Sequence, residues 1–145
     1  MTPNSEPRAV LLADAPIERS ASEALALARQ GAACLIDIRQ PFELELKGAL
    51  RDALHVPFFH FKQHLGLSLD EEEQEMLDAD APSEQDRREF VANIQQLERS
   101  RDVPLLLVCN SGRRSLIAAH LLRGIGYPQA YSVRGGMHAL LQEDH

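Results

Sequence analysis

Three unbroken apolar runs punctuate the chain, and helical periodicity fills much of the space between them. Ala32-Ala33-Cys34-Leu35-Ile36 ends at Asp37, Leu105-Leu106-Leu107-Val108 ends at Cys109, and Ala130-Tyr131-Ser132-Val133 is a weaker third. Runs without polar alternation predict strands covered on both faces. Shorter strand candidates are Val10-Leu11-Leu12 and Leu54-His55-Val56. Ser20 and Glu23 have the spacing of a capping box, and Ala21, Ala24, Leu25 and Ala28 share one helical face before Gly31 ends the helix. Ser83 caps a second helix, with Phe90, Val91, Ile94 and Leu97 on one side. Ser115 opens a third that runs to Leu122 and is closed by Gly124-Ile125-Gly126-Tyr127-Pro128. Buried strands separated by helices predict an α/β domain with a mainly parallel central sheet flanked by helices.

Length and composition narrow this picture. At 145 residues, 44% hydrophobic and 26% charged, the chain suits one globular domain. Residues 1–8 are polar and Pro-bearing and are expected to form a flexible tail, leaving 9–145 as the domain. No apolar run approaches the ~20 residues of a membrane span. The start lacks a basic flank leading into an apolar core, so a signal peptide is not expected. With only two cysteines, a reducing, cytoplasmic setting without membrane contact is the expectation. Cys34 and Cys109 are too few for a disulfide framework or a four-thiolate zinc site.

Charge is unevenly placed. The net charge is −7, from 22 acids against 15 bases, and residues 70–86 hold nine of those acids and no base. The remainder, with 13 acids against 15 bases, accepts small anions, whereas overall acidity argues against nucleic acid. The stretch about 59–86 reads as an acidic surface insertion, with docking of a basic partner protein as a lesser expectation. His60 and His64 stand at i, i+4 but lack an evident third ligand, so no metal site is expected.

Chemistry concentrates at Leu105 to Leu122. A buried strand there delivers a thiol, Cys109, to the carboxyl edge of a parallel sheet, where such folds place their sites. The loop Asn110-Ser111-Gly112-Arg113-Arg114 then leads into a helix whose first N–H groups lack helical partners. Gly112 lets the loop turn several N–H groups inward as an anion nest, and Arg113 and Arg114 add positive charge. The helix end adds a favourable dipole. A nucleophilic thiolate at neutral pH is the expected outcome. Cys34, inside an apolar run, is expected to pack in the core rather than act as a resolving thiol.

Cys109-Asn110-Ser111-Gly112-Arg113-Arg114-Ser115 resembles the C-x-x-G-x-R-S active-site loop of the rhodanese (sulfurtransferase) domain family. Leu35 to Glu43 is similar to the family's D-x-R-x-P signature, and Gly135-Gly136 to its closing glycine pair. The resemblance implies a single-domain, rhodanese-like sulfurtransferase in which Cys109 takes a sulfane sulfur from thiosulfate or a persulfide. The resulting Cys109 persulfide would yield that sulfur to cyanide or to a thiol, on a small molecule or a protein. In this reading Cys109 and Arg114 are catalytic, and Asn110, Ser111, Gly112, Arg113 and Ser115 form the substrate loop. Asp37 and Arg39 are expected near it as a structural pair or strand-end cap, with Glu43 a further structural candidate to partner Arg39. No metal or organic cofactor is implied. Asn110 and Ser111 occupy positions that are basic in thiosulfate-specialised members, which points toward other donors.

Three other readings compete. A persulfide carrier or interaction module would keep the same cysteine. A Cys-dependent phosphatase or arsenate reductase has five residues between Cys and Arg, but four separate Cys109 from Arg114. Redox sensing would require Cys109 to pair with Cys34.

Overall fold

Leu105–Val108 contains no polar residue and is buried throughout, and it forms the middle strand of the sheet. The computed structural model describes residues 16–58, 82–99 and 102–144. Within them the elements run β1 (Glu18–Arg19), α1 (Ala21–Arg29), β2 (Cys34–Asp37), α2 (Pro41–Lys47) and β3 (Leu54–His55). They continue with α3 (Glu84–Gln96), β4 (Leu105–Val108), α4 (Arg113–Gly124), β5 (Ala130–Val133) and α5 (Gly136–Glu143). The strands form a five-stranded sheet in the order β1-β5-β4-β2-β3, and every pairing is parallel. The expected tail at 1–8, the Val10–Leu12 strand, His60, His64 and residues 59–81 of the acidic insertion lie outside the described residues.

The apolar runs lack alternation because each strand face has its own helical cover. Leu105, Leu107, Ile36 and Ile38 pack with Phe90 and Ile94 of α3 and with Ala118, Ala119 and Leu122 of α4. Leu106, Val108, Leu35 and Val133 pack instead with Ala24 and Leu25 of α1 and with Met137 and Leu140 of α5. Alternate side chains along one strand therefore enter different cores. Cys109 continues the parity of Leu105 and Leu107 and belongs to the α3–α4 side.

Helix ends follow the sequence with two local corrections. Ser20 Oγ accepts the Glu23 N–H at 3.1 Å, but the Glu23 carboxylate pairs with Arg19, so the expected capping box closes on one side only. Ser83 and Asp86 form the complete reciprocal box on α3. Gly31 follows α1 with φ +74°, the left-handed conformation that ends a helix at lowest cost in glycine. The third predicted helix begins at Arg113, two residues before Ser115, because Gly112 takes the capping position with φ +105°.

The chain moves outward from β2 to β3, then returns to place β4 and β5 on the other side of β2. The sheet order thus reverses between β2 and β4, the crevice where open α/β sheets bind ligands. The carboxyl ends of these two strands carry Asp37 and Cys109.

Candidate active site

Cys109 follows β4 directly, and the turn of the next three residues brings helix α4 back over its sulfur. The Gly112 N–H points to Sγ at 3.1 Å, and the Ser115 N–H at 3.4 Å. Ser115 Oγ lies 3.5 Å from the same sulfur. Gly112 makes this closure possible, because a side chain would be strained at its φ of +105°. An anionic sulfur here meets N–H groups that the helix leaves without internal acceptors.

Charge along the helix starts supports that reading. The first turns of α1, α2 and α3 carry acids (Glu23, Glu43, and Glu84 with Asp86), as the helix dipole favours. The first turns of α4 and α5 have no acid, and α4 alone begins with two arginines. The carboxylate that reaches this helix end comes from another element, Glu43 of α2, and it pairs with Arg114.

Ser132 of β5 completes the polar lining. Its Oγ lies 2.7 Å from Ser115 Oγ, and both hydroxyls lie 3.3 Å from the Gly112 carbonyl oxygen. Two hydroxyl protons thus serve three acceptor positions. When Ser132 donates to Ser115, the Ser115 proton is available to the sulfur. Cys109, Ser115 and Ser132 are all fully buried. The thiol is therefore deeper than the partly exposed setting typical of reactive cysteines.

The closing glycines pin the loop from the far side. The Met137 N–H donates to the Cys109 carbonyl at 2.8 Å, using a free donor at the start of α5. Gly136, with φ +59°, packs so closely that a Cβ there would stand 2.3 Å from the Asn110 carbonyl oxygen.

The arginines divide their roles. Arg114 is fully buried, and its Nη1 and Nη2 donate to the two Glu43 oxygens at 2.9 and 2.7 Å. This bidentate pair matches the charge of Arg114 and ties α4 to α2 beneath the loop. Glu43 is thereby taken from Arg39, which corrects that part of the expectation. Arg39 forms the expected structural pair with Asp37, Nη2 to Oδ2 at 2.8 Å, and donates to the Gly48 carbonyl at 2.7 Å. Arg113 is exposed, Asn110 is half-buried and Ser111 is exposed. The structure therefore gathers Cys109, Gly112 and Ser115, sets Arg114 and Glu43 below them, and leaves Arg113 at the surface. Among the described residues no group of three His, Cys, Asp or Glu is placed to hold a metal ion. No helix there is long and apolar enough to cross a membrane.

The sequence profile of the rhodanese-like domain matches residues 20–143. The chain belongs to the rhodanese-like domain family. This rhodanese-like domain is similar to the human single-domain sulfurtransferase TSTD1, at 25% identity and a TM-score of 0.57, covering 88% of this chain and 97% of that one. It also resembles in fold the polysulfide-sulfur transferase of Wolinella succinogenes, at 18% identity and a TM-score of 0.58, with 97% and 84% of the two chains covered. A thiosulfate sulfurtransferase from Pseudomonas aeruginosa matches at 17% identity and a TM-score of 0.59, over 88% of this chain and 19% of the other. A search among curated proteins finds no significant match.

Sequence reasoning about this rhodanese-like domain missed Ser132. A serine inside a buried strand run was the available signal, since a buried hydroxyl needs a partner. Ser132→Ala is expected to change the rate at which an electrophile such as iodoacetamide modifies Cys109 about tenfold while moving Tm by only a few degrees. Stopped-time mass spectrometry and a thermal melt check both parts.

Cys34 plays no part in this site. It starts β2 opposite Leu105, whereas Cys109 lies past the other end of β4, roughly 14 Å away at strand spacing. A disulfide needs Cα atoms within about 7 Å, so the redox pairing is excluded. Burial pushes the Cys34 thiol up, opposed by the charge and hydrogen bond of Arg99. Mild oxidation is therefore expected to leave the two cysteines unlinked. Cys34 is expected to alkylate appreciably only at alkaline pH, which peptide mapping after iodoacetamide checks.

Proposed function

We propose that this rhodanese-like domain is a sulfurtransferase carrying sulfane sulfur on Cys109. The observation that carries the reading is the pair of N–H groups, from Gly112 and Ser115, aimed at a sulfur at the carboxyl edge of the sheet. The Cys109 thiolate attacks the outer sulfur of a persulfide or thiosulfate. The donor's S–S bond breaks, and its electron pair leaves on the departing thiolate or sulfite. Cys109 then carries a persulfide anion, for which the loop N–H groups act as an oxyanion hole does for oxygen. A thiol or cyanide attacks the outer sulfur and returns the electron pair to Cys109.

Arg114 serves this cycle by anchoring the loop through Glu43, and exposed Arg113 attracts anionic donors. The domain needs no cofactor for either step. Cytoplasmic thiols suit it as acceptors. Intact mass spectrometry after donor treatment tests the proposal. Wild type is expected to gain the mass of one sulfur, removable by thiol, and Cys109→Ser to gain none. Equal gain in both proteins rejects it.

A carrier that stores sulfur without turnover is the second reading, and the full burial of Cys109 favours it. Multiple turnovers with donor and thiol in excess would reject the carrier.

A further inference from the structure

A cavity of about 160 Å³ lies between α2 and α5, lined by Arg39, Lys47, Asn110, Met137, His138 and Leu141. Asn110 is joined to Cys109, so this cavity begins one residue from the sulfur. Its polar wall is cationic and includes no acid. Arg39 is fully buried, with Nε and Nη2 held by Asp37 and the Gly48 carbonyl. Its Nη1 is buried without a hydrogen-bond partner among the described residues. Buried guanidinium N–H groups rarely go unpartnered, because desolvation then goes uncompensated. Lys47 is exposed and pairs with no carboxylate among the described residues. Met137 and Leu141 supply the apolar part of the lining.

We infer that this cavity is a carboxylate subsite for the acceptor thiol. The inference rests on the sulfur-transfer reading and names the class of acceptor, a small thiol with a carboxylate a few bonds from its sulfur. Liquid water occupies about 30 Å³ per molecule, so the space holds a carboxylate and a short methylene stem. The carboxylate accepts from Arg39 Nη1 and Lys47, and the stem lies against Met137 and Leu141. The thiol end then points back along Asn110 toward Cys109. Its thiolate attacks the outer persulfide sulfur, the S–S bond breaks, and the electron pair returns to Cys109. The acceptor leaves as a persulfide, and its thiol proton goes to solvent.

The full chain, loaded with sulfur, should be discharged by 3-mercaptopropionate and by neutral 2-mercaptoethanol in parallel. Wild type is expected to show the lower KM for the anionic thiol. Lys47→Gln should cut that preference about tenfold, as loss of a charge-assisted hydrogen bond implies. An unchanged preference overturns the subsite. Propionate titration followed by NMR at His138 gives a second readout that needs no sulfur transfer. Propionate is expected to shift His138 in wild type at concentrations about tenfold lower than in Lys47→Gln, and equal titrations overturn the subsite. If Cys109 takes up no sulfur but propionate binds as described, the transfer reading falls and the subsite stands. If sulfur loads and discharges with no regard to thiol charge, the subsite falls alone.

Discussion

Gly136→Ala is expected to destabilise the domain by about 3–5 kcal/mol and to abolish sulfur uptake at Cys109. Two effects combine at this position. The φ of +59° is strained for any residue with a Cβ. The added methyl would also meet the Cys109 and Asn110 carbonyl oxygens at 2.4 and 2.3 Å. Backbone atoms cannot swing aside as a flexible side chain can, so either α5 retreats or the loop is pushed out of shape. Tm should fall by roughly 10 °C or more for a domain of this size. Gly31→Ala separates the two effects, because Gly31 has a similar φ of +74° but nothing within 4 Å of a new Cβ. That variant is expected to lose only about 1–2 kcal/mol and to keep full sulfur uptake. Equal melting losses for the two variants would show that the α5 contact does not fix the loop.

Glu43→Ala should be about as damaging, by a different route. It leaves the Arg114 guanidinium fully buried opposite an empty space. Removing one partner of a buried pair typically costs about 3–5 kcal/mol, whereas replacing both with apolar residues is often neutral. Glu43→Leu combined with Arg114→Met is therefore expected to recover most of the lost stability in a chemical denaturation measurement. The double variant also decides what Arg114 does. If the arginine acts as an anchor, the recovered protein should still load sulfur on Cys109. A folded double variant that loads none would mean that the charge of Arg114 acts on the sulfur itself.

The three long runs were legible as strands because helices cover both sheet faces, which removes the need for polar residues. Of the two edge strands, β3 was readable from Leu54-His55-Val56, whereas β1 lacks any such signature. β1 is only Glu18–Arg19, a polar pair that becomes a strand because β5 offers it free backbone partners. The loop from Cys109 to Ser115 was readable in order, since Gly112 and the helix that follows are local features. Partner choice was not. Glu43 and Arg114 are 71 residues apart, and only the β2–β4 neighbourhood brings their elements together. The Asp37–Arg39 pair, two residues apart, was legible; what the sequence did not show was that Glu43 leaves Arg39 to it and takes Arg114. Ser132 was hidden for the same reason, being 17 residues from Ser115.

The Met137 amide turns the depth of Cys109 into something measurable. Its proton is held by the Cys109 carbonyl, so it can exchange with deuterated water only when α5 and the loop part company. A buried sulfur has to be uncovered before it reacts, and that parting is one way to uncover it. The exchange rate at this single amide would then set a ceiling on how often the thiol becomes reachable by that route, whatever the donor's concentration.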